Sequence, residues 1–222
     1  TVVSRGIFVV FEGGEGAGKS TQVAALAREL RARGRDVLVT REPGGTDAAE
    51  EIRAVLLADR PTPMSERAEV LLFAAARADH VARVIAPAIQ RGQAVLCDRF
   101  VDSSIAYQGY ARGVEVEDVA LLSHWATAGL RPDLTVLLDV TPEVGLARAE
   151  DGNRMEDEPL DFHAKVRAGL LDLAAADPGR AEAIVAGRCS LCHGIGGESA
   201  SPVFPRLAGQ HAEYIAKQLA DF

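Results

Sequence analysis

The stretch IFVVFEGGEGAGKST, residues 7–21, decides the fold. Its first part, IFVVF, is a continuous apolar run of the kind that forms a strand buried on both faces. From Gly13 to Ser20 it fits G-x-x-x-x-G-K-[ST]. Glycines in such a loop let successive backbone N–H groups turn inward around phosphate oxygens, and the amino end of the next helix adds partial positive charge. Gly13, Gly14, Glu15, Gly16, Ala17, Gly18, Lys19, Ser20 and Thr21 therefore read as a nucleotide-phosphate site. In that pattern the lysine, Lys19, reaches the terminal phosphates and the hydroxyl of Ser20 ligates Mg²⁺. Beyond the loop, Val23, Leu26, Ala27 and Leu30 recur at helical spacing, and Gly34 suits the stop of that helix. The loop by itself does not separate kinase from GTPase or ATPase chemistry.

Working outward, DVLVT (36–40), QAVLCD (93–98) and LTVLLDV (134–140) read as further strands, and residues 65–90 carry a long helical pattern. Thr141, Pro142 and Glu143 are a good helix start, combining a hydroxyl cap, a first-turn proline and a carboxylate at the positive dipole end. Strands alternating with helices predict an α/β fold, a parallel doubly wound sheet with helices on both faces. The alternation breaks after residue 176, where ADPGR leads into a segment rich in Gly, Ser and Pro. That shift predicts a boundary at 180.

The 222 residues hold 48 % hydrophobic and 25 % charged side chains, ordinary for a globular protein, and three cysteines are too few for a disulfide scaffold. A formal net charge of −8 argues against sequence-independent nucleic-acid binding, which needs a basic face. No apolar run reaches a membrane span, and TVVSRGIFVVFEGG does not read as a secretory leader, so a cytoplasmic setting is expected.

Ligands of open α/β sheets gather beyond the carboxyl ends of the strands. There the sequence places TREPGGT (40–46) and DRFVDSSIAYQG (98–109). On the long helix, FAAARADH (73–80) puts Phe73, Arg77 and His80 on one face. An aromatic plane beside a guanidinium suits a pyrimidine base, whereas His80 reads as a structural helix histidine. These stretches, with GIFVVFEGGEGAGKSTQ and PDLTVLLDVTPEVGLARA, together resemble bacterial thymidylate kinase over about residues 5–180. The resemblance implies a P-loop nucleoside-monophosphate kinase that moves the γ-phosphoryl of ATP onto dTMP with Mg²⁺, as a homodimer. It implies that Phe73 stacks on thymine, Arg77 bonds its edge, and Ser104 and Gln108 complete the pocket. Arg99, Arg41 and Glu42 fall to the acceptor side, Asp98 to metal and phosphates, and Glu15 to the deoxyribose. Gly16 stands where eukaryotic-type members carry arginine, so a lid, RAEDGNRMEDE (148–158), is expected to bring Arg148 and Arg154 to the phosphates.

The tail, 181–222, contains GRCSLCHGIGG and resembles the first part of a class I cytochrome c. Cys189 and Cys192 would take the haem vinyl groups and His193 the iron. Neither methionine, Met64 or Met155, lies where the second axial ligand is usual. A hybrid chain is the expectation: the kinase resemblance implies a sheet lacking its last strand and helix, with a catalytically weakened hybrid that only binds nucleotide as the alternative to an active kinase. Haem attachment, a zinc site and a ligand-free tail are the open readings of the tail.

Overall fold

The structure, a computed structural model, describes residues 5–148, 152, 154–176 and 181–185. Five parallel strands form one sheet in the order β2-β3-β1-β4-β5: β1 Phe8–Glu12, β2 Val37–Arg41, β3 Ala94–Asp98, β4 Leu134–Asp139 and β5 Ala181–Val185. The registers are continuous, Phe8 opposite Val95 on one side of β1 and Val9 opposite Leu134 on the other. Side chains alternate between the faces of β1, and both faces are apolar. Val9 and Phe11 pack with Val23, Leu26 and Leu30 of α1 (Lys19–Ala32), while Phe8 and Val10 pack with Val81, Ile85 and Ile89. The central strand is therefore a run of apolar residues without a polar face.

Around the sheet lie α2 (Asp47–Leu57), α3 (Glu66–His80), α4 (Ala86–Gln90), α5 (Val101–Ser104), α6 (Val116–Ala126), α7 (Pro142–Leu146) and α8 (Leu160–Ala176). The long helical pattern at 65–90 is realised as α3, a π-helical turn at Val81–Ile85, and α4. A second π-helical turn, Ile105–Ala111, extends α5 and packs against α8. α8 is tied to the end of β4 by Arg167, whose Nε and Nη2 donate to the Asp139 carboxylate at 2.6 and 2.7 Å.

One expectation is corrected. The last strand is present: Ala181–Val185 pairs in parallel with β4, from Thr135 opposite Ala181 to Asp139 opposite Val185. Five residues of extended backbone suffice to complete a ladder on an exposed edge. The sheet thus passes the boundary expected at 180. Residues beyond Val185 lie outside those the structure describes.

Candidate active site

The phosphate loop leaves β1 and enters α1 through Gly18, whose φ of 87° lies in the left-handed region that glycine adopts without cost. Gly16 and Gly145 face each other so closely that a Cβ on Gly16 would overlap the Gly145 carbonyl oxygen, and one on Gly145 would overlap that of Glu15. An arginine at position 16 has no room, which agrees with its absence from the sequence. Lys19 is buried, and its Nζ donates to the carbonyls of Gly13 (3.1 Å) and Gly14 (2.7 Å). Burial, helped by the nearby Arg99 charge, lowers its pKa to about 8, against the opposing pull of Asp98 and Glu15. Ser20 Oγ donates to Asp98 Oδ2 at 2.8 Å. A hydroxyl and a carboxylate side by side fit Mg²⁺, which prefers oxygen ligands and fills its other positions with waters and phosphate oxygens. No group of three or more His, Cys, Asp or Glu gathers for a metal among the described residues, and this mode of binding does not require one.

Arg99 follows β3 with φ 68°, an uncommon backbone for a side chain other than glycine's. Its Nη1 donates to Gly13 O (3.0 Å) and Ser103 Oγ (3.2 Å), and its Nη2 to Glu15 Oε1 (2.8 Å). Tyr107 completes the cluster, donating its hydroxyl to the same Glu15 oxygen at 2.8 Å. Burial alone would raise the Glu15 pKa, but Arg99, Lys19 and the Tyr107 bond together bring it down to about 2. What holds the Arg99 turn is Glu12 at the end of β1: its carboxylate accepts from the backbone N–H groups of Phe100 (2.9 Å) and Ser103 (3.1 Å) and from Ser103 Oγ (2.5 Å). Burial and the Asp102 charge push the Glu12 pKa up to about 7, against the Ser103 bond, Arg99 and the Phe100 N–H.

Beside this cluster opens a cleft of about 150 Å³, lined at its inner end by Phe73, Arg77, Ser104 and Gln108 and toward the phosphate loop by Arg53, Arg99 and Glu15. Arg77 is 2 % exposed and almost wholly committed. Its Nε donates to Glu42 Oε2 (2.7 Å), its Nη1 to Ser123 Oγ (3.3 Å), and its Nη2 to Phe100 O (3.0 Å) and Ser104 Oγ (2.8 Å). A guanidinium has five N–H donors, so one on Nη1 remains for a ligand. Glu42 is fixed in turn by His80, whose Nδ1 lies 3.1 Å from Glu42 Oε1 and whose Nε2 lies 2.7 Å from Thr40 Oγ1. Gln108 is 1 % exposed; its Nε2 donates to Glu69 at 2.9 Å, and its Oε1 has no partner. The pocket thus offers one donor, one acceptor and the half-buried Phe73 ring.

The structure brings together Lys19, Ser20, Asp98, Arg99, Glu15, Glu42, Phe73, Arg77, Ser104 and Gln108, all singled out in the sequence. It does not bring Arg41 in: that guanidinium pairs with Glu50 on α2 at 2.9 Å, and Arg53, one turn further along α2, lines the cleft instead. Arg154 also differs from its expected phosphate role. Its Nε donates to Leu56 O (3.0 Å) and its Nη2 to Glu69 Oε2 (2.8 Å), so the lid arginine docks beside the inner pocket. Arg148 is exposed at the end of the α7 turn. Cys189, Cys192 and His193 lie outside the described residues. Sequence reading missed Arg53, Glu69 and Tyr107. Glu69 stands one helical turn before Phe73 and two before Arg77, and a charged residue within that buried stripe was the available signal.

Together the parallel sheet, the glycine loop with its lysine, and a base-sized cleft beyond the strand ends define a P-loop kinase of small nucleotides. The thymidylate kinase family model matches residues 11–189. A thymidylate kinase of Synechococcus sp. (strain JA-2-3B'a(2-13)) is 53 % identical over 174 residues, 78 % of this chain and 84 % of that one. One of Geobacillus thermodenitrificans is 46 % identical over 215 residues, 95 % of each chain. The crystal structure of thymidylate kinase from Ehrlichia chaffeensis superposes with a TM-score of 0.69 at 33 % identity, covering 81 % of this chain and 93 % of that one. The chain belongs to the thymidylate kinase family.

Proposed function

We propose that the chain transfers the γ-phosphoryl group of ATP to dTMP, giving dTDP and ADP. The observation that carries this reading is the continuity of the site. Arg99 touches the phosphate loop at Gly13 and lines the same cleft as Phe73, Arg77 and Gln108, so a nucleoside monophosphate seated there has its phosphate directed at the loop. Thymine presents a carbonyl oxygen and a ring N–H along one edge, which match the remaining Arg77 donor and the unpartnered Gln108 Oε1.

An oxygen of the acceptor phosphate attacks the γ-phosphorus and ADP leaves, with charge spread over the migrating group. The loop N–H groups and Lys19 hold the donor phosphates, while Arg99 and Arg53 draw the acceptor phosphate in. Glu15, kept ionised by Arg99 and Tyr107, orients the Arg99 guanidinium. Ser20 and Asp98 would hold Mg²⁺, which would supply neutralisation of the phosphate charge. Arg148, exposed at the end of α7, is the lid cation left to complete the charge on the phosphates, while Arg154 is held by Glu69 and the Leu56 carbonyl. Purified chain with ATP, Mg²⁺ and dTMP should release ADP, followed in a coupled assay. ADP release that ignores dTMP would remove the acceptor assignment.

The kinase unit runs through Val185 in this reading, five residues past the compositional boundary. A homodimer through α3 and α6 fits the apolar surface, since Leu121 and Trp125 lie one turn apart on α6 at 70 % and 77 % exposure and Leu71 on the adjoining α3 is 58 % exposed. No described helix is long and apolar enough to cross a membrane, and the substrates suit a cytoplasmic setting. A second reading, haem attachment at Cys189, Cys192 and His193, rests on the C-x-x-C-H motif alone. It requires a visible absorption band in the purified protein, and a colourless sample leaves the tail without haem.

A further inference from the structure

Glu69 is 2 % exposed and accepts three hydrogen bonds: from Gln108 Nε2 at 2.9 Å, from Arg154 Nη2 at 2.8 Å and from Arg112 Nε at 3.4 Å. Burial on its own would raise its pKa, but the Gln108 and Arg154 bonds and the Arg112 charge more than offset this and hold it below the usual carboxylate range. An ionised carboxylate only accepts. An amide reversed at this distance would set its oxygen against a carboxylate oxygen, so Gln108 must turn its NH₂ toward Glu69. Its Oε1 is then left without a partner beside the cleft that Gln108 lines.

We infer that Glu69 is a specificity-determining positioning residue, fixing the Gln108 amide so that the pocket selects a pyrimidine with a ring N–H over one with a bare ring nitrogen. Thymine and uracil carry that N–H at N3, whereas cytosine has a lone pair there and would meet the Gln108 oxygen with another acceptor. The inference rests on the dTMP reading and deepens it. The second Glu69 oxygen carries Arg154, so the residue that sets the amide also anchors the lid. Base recognition and lid docking therefore share one carboxylate.

The test compares kcat/KM for dTMP and dCMP in the wild type, Glu69→Gln and Arg154→Ala. A glutamine at 69 donates as well as accepts, which frees the Gln108 amide to turn its NH₂ to the cleft. The dTMP-over-dCMP ratio should fall about tenfold or more in Glu69→Gln, as expected for one buried hydrogen bond. Arg154→Ala should slow both nucleotides and leave the ratio unchanged. A proportional loss on both nucleotides in Glu69→Gln means a merely structural role and overturns the inference. So does an equal shift of the ratio in Arg154→Ala, because the effect would then travel through the lid. N3-methyl-dTMP needs no variant: the wild type should reject it about tenfold or more relative to dTMP, and acceptance contradicts the assigned amide orientation. If the wild type shows no dTMP-dependent turnover at all, the dTMP reading fails; if dTMP is turned over with unmoved ratios, only the role of Glu69 fails.

Discussion

At the scale of single residues, the site is a set of charges whose partners are already built. Lys19 is buried against its own loop carbonyls, so replacing it removes the cation without disturbing the core. Lys19→Ala should lower kcat by roughly two to three orders of magnitude while the melting curve stays near that of the wild type. Phe73 is half-buried at the cleft, and base–aromatic stacking contributes about 1–3 kcal/mol, so Phe73→Ala should raise the KM for dTMP by about tenfold or more and leave that for ATP alone. Glu12 gives a pH signature. Its folded pKa, raised to about 7, means that the native state binds a proton more tightly than the unfolded chain. Its contribution is fully present below the ordinary carboxylate pKa and is lost as pH rises through about 7. Urea midpoints should therefore decline from about pH 5 to about pH 8, and Glu12→Gln should flatten that decline. An unchanged slope in the variant would move the titration to another group. Phe73, Arg77 and the loop residues were legible because residue type and spacing together specify a chemistry. Glu12, Glu69 and Arg53 were not, because carboxylates and arginines on strands and helices are usually solvated, and only the tertiary packing that buries Glu12 and Glu69 and turns Arg53 into the cleft distinguishes these.

At the scale of elements, β1 and α1 were readable from periodicity, since a strand covered on both faces and an amphipathic helix leave different apolar spacings. Leu26 is fully buried between them, and Leu26→Ala should cost about 2–5 kcal/mol, measured as a lowered denaturant midpoint. The π-helical turns at Val81–Ile85 and Ile105–Ala111 were invisible, because they lengthen each hydrogen-bonded ring by one residue without changing the composition. β5 was missed for a different reason: an edge strand needs only a short backbone run and a neighbour, and the neighbour is a tertiary fact. The contact between the phosphate loop and α7 is of the same kind, since neither Gly16 nor Gly145 announces its counterpart.

At the scale of the whole molecule, the net charge of −8 sits uneasily with two anionic substrates. The arginines concentrated at the cleft resolve this locally, and their attraction weakens with salt, so KM values should rise with ionic strength. The apolar face on α3 and α6 belongs to this scale too. Sedimentation should report a dimer for the wild type and a monomer for a Leu121→Glu, Trp125→Glu double variant, and a wild-type monomer would remove that assembly. The central claim, dTMP phosphorylation by a kinase unit spanning the five-stranded sheet, is tested most directly by one measurement. Purified chain is mixed with ATP and Mg²⁺, and ADP is followed before and after dTMP is added. The account predicts ADP release that begins with dTMP and saturates with its concentration. Binding of ATP with no dTMP-dependent ADP release would contradict it.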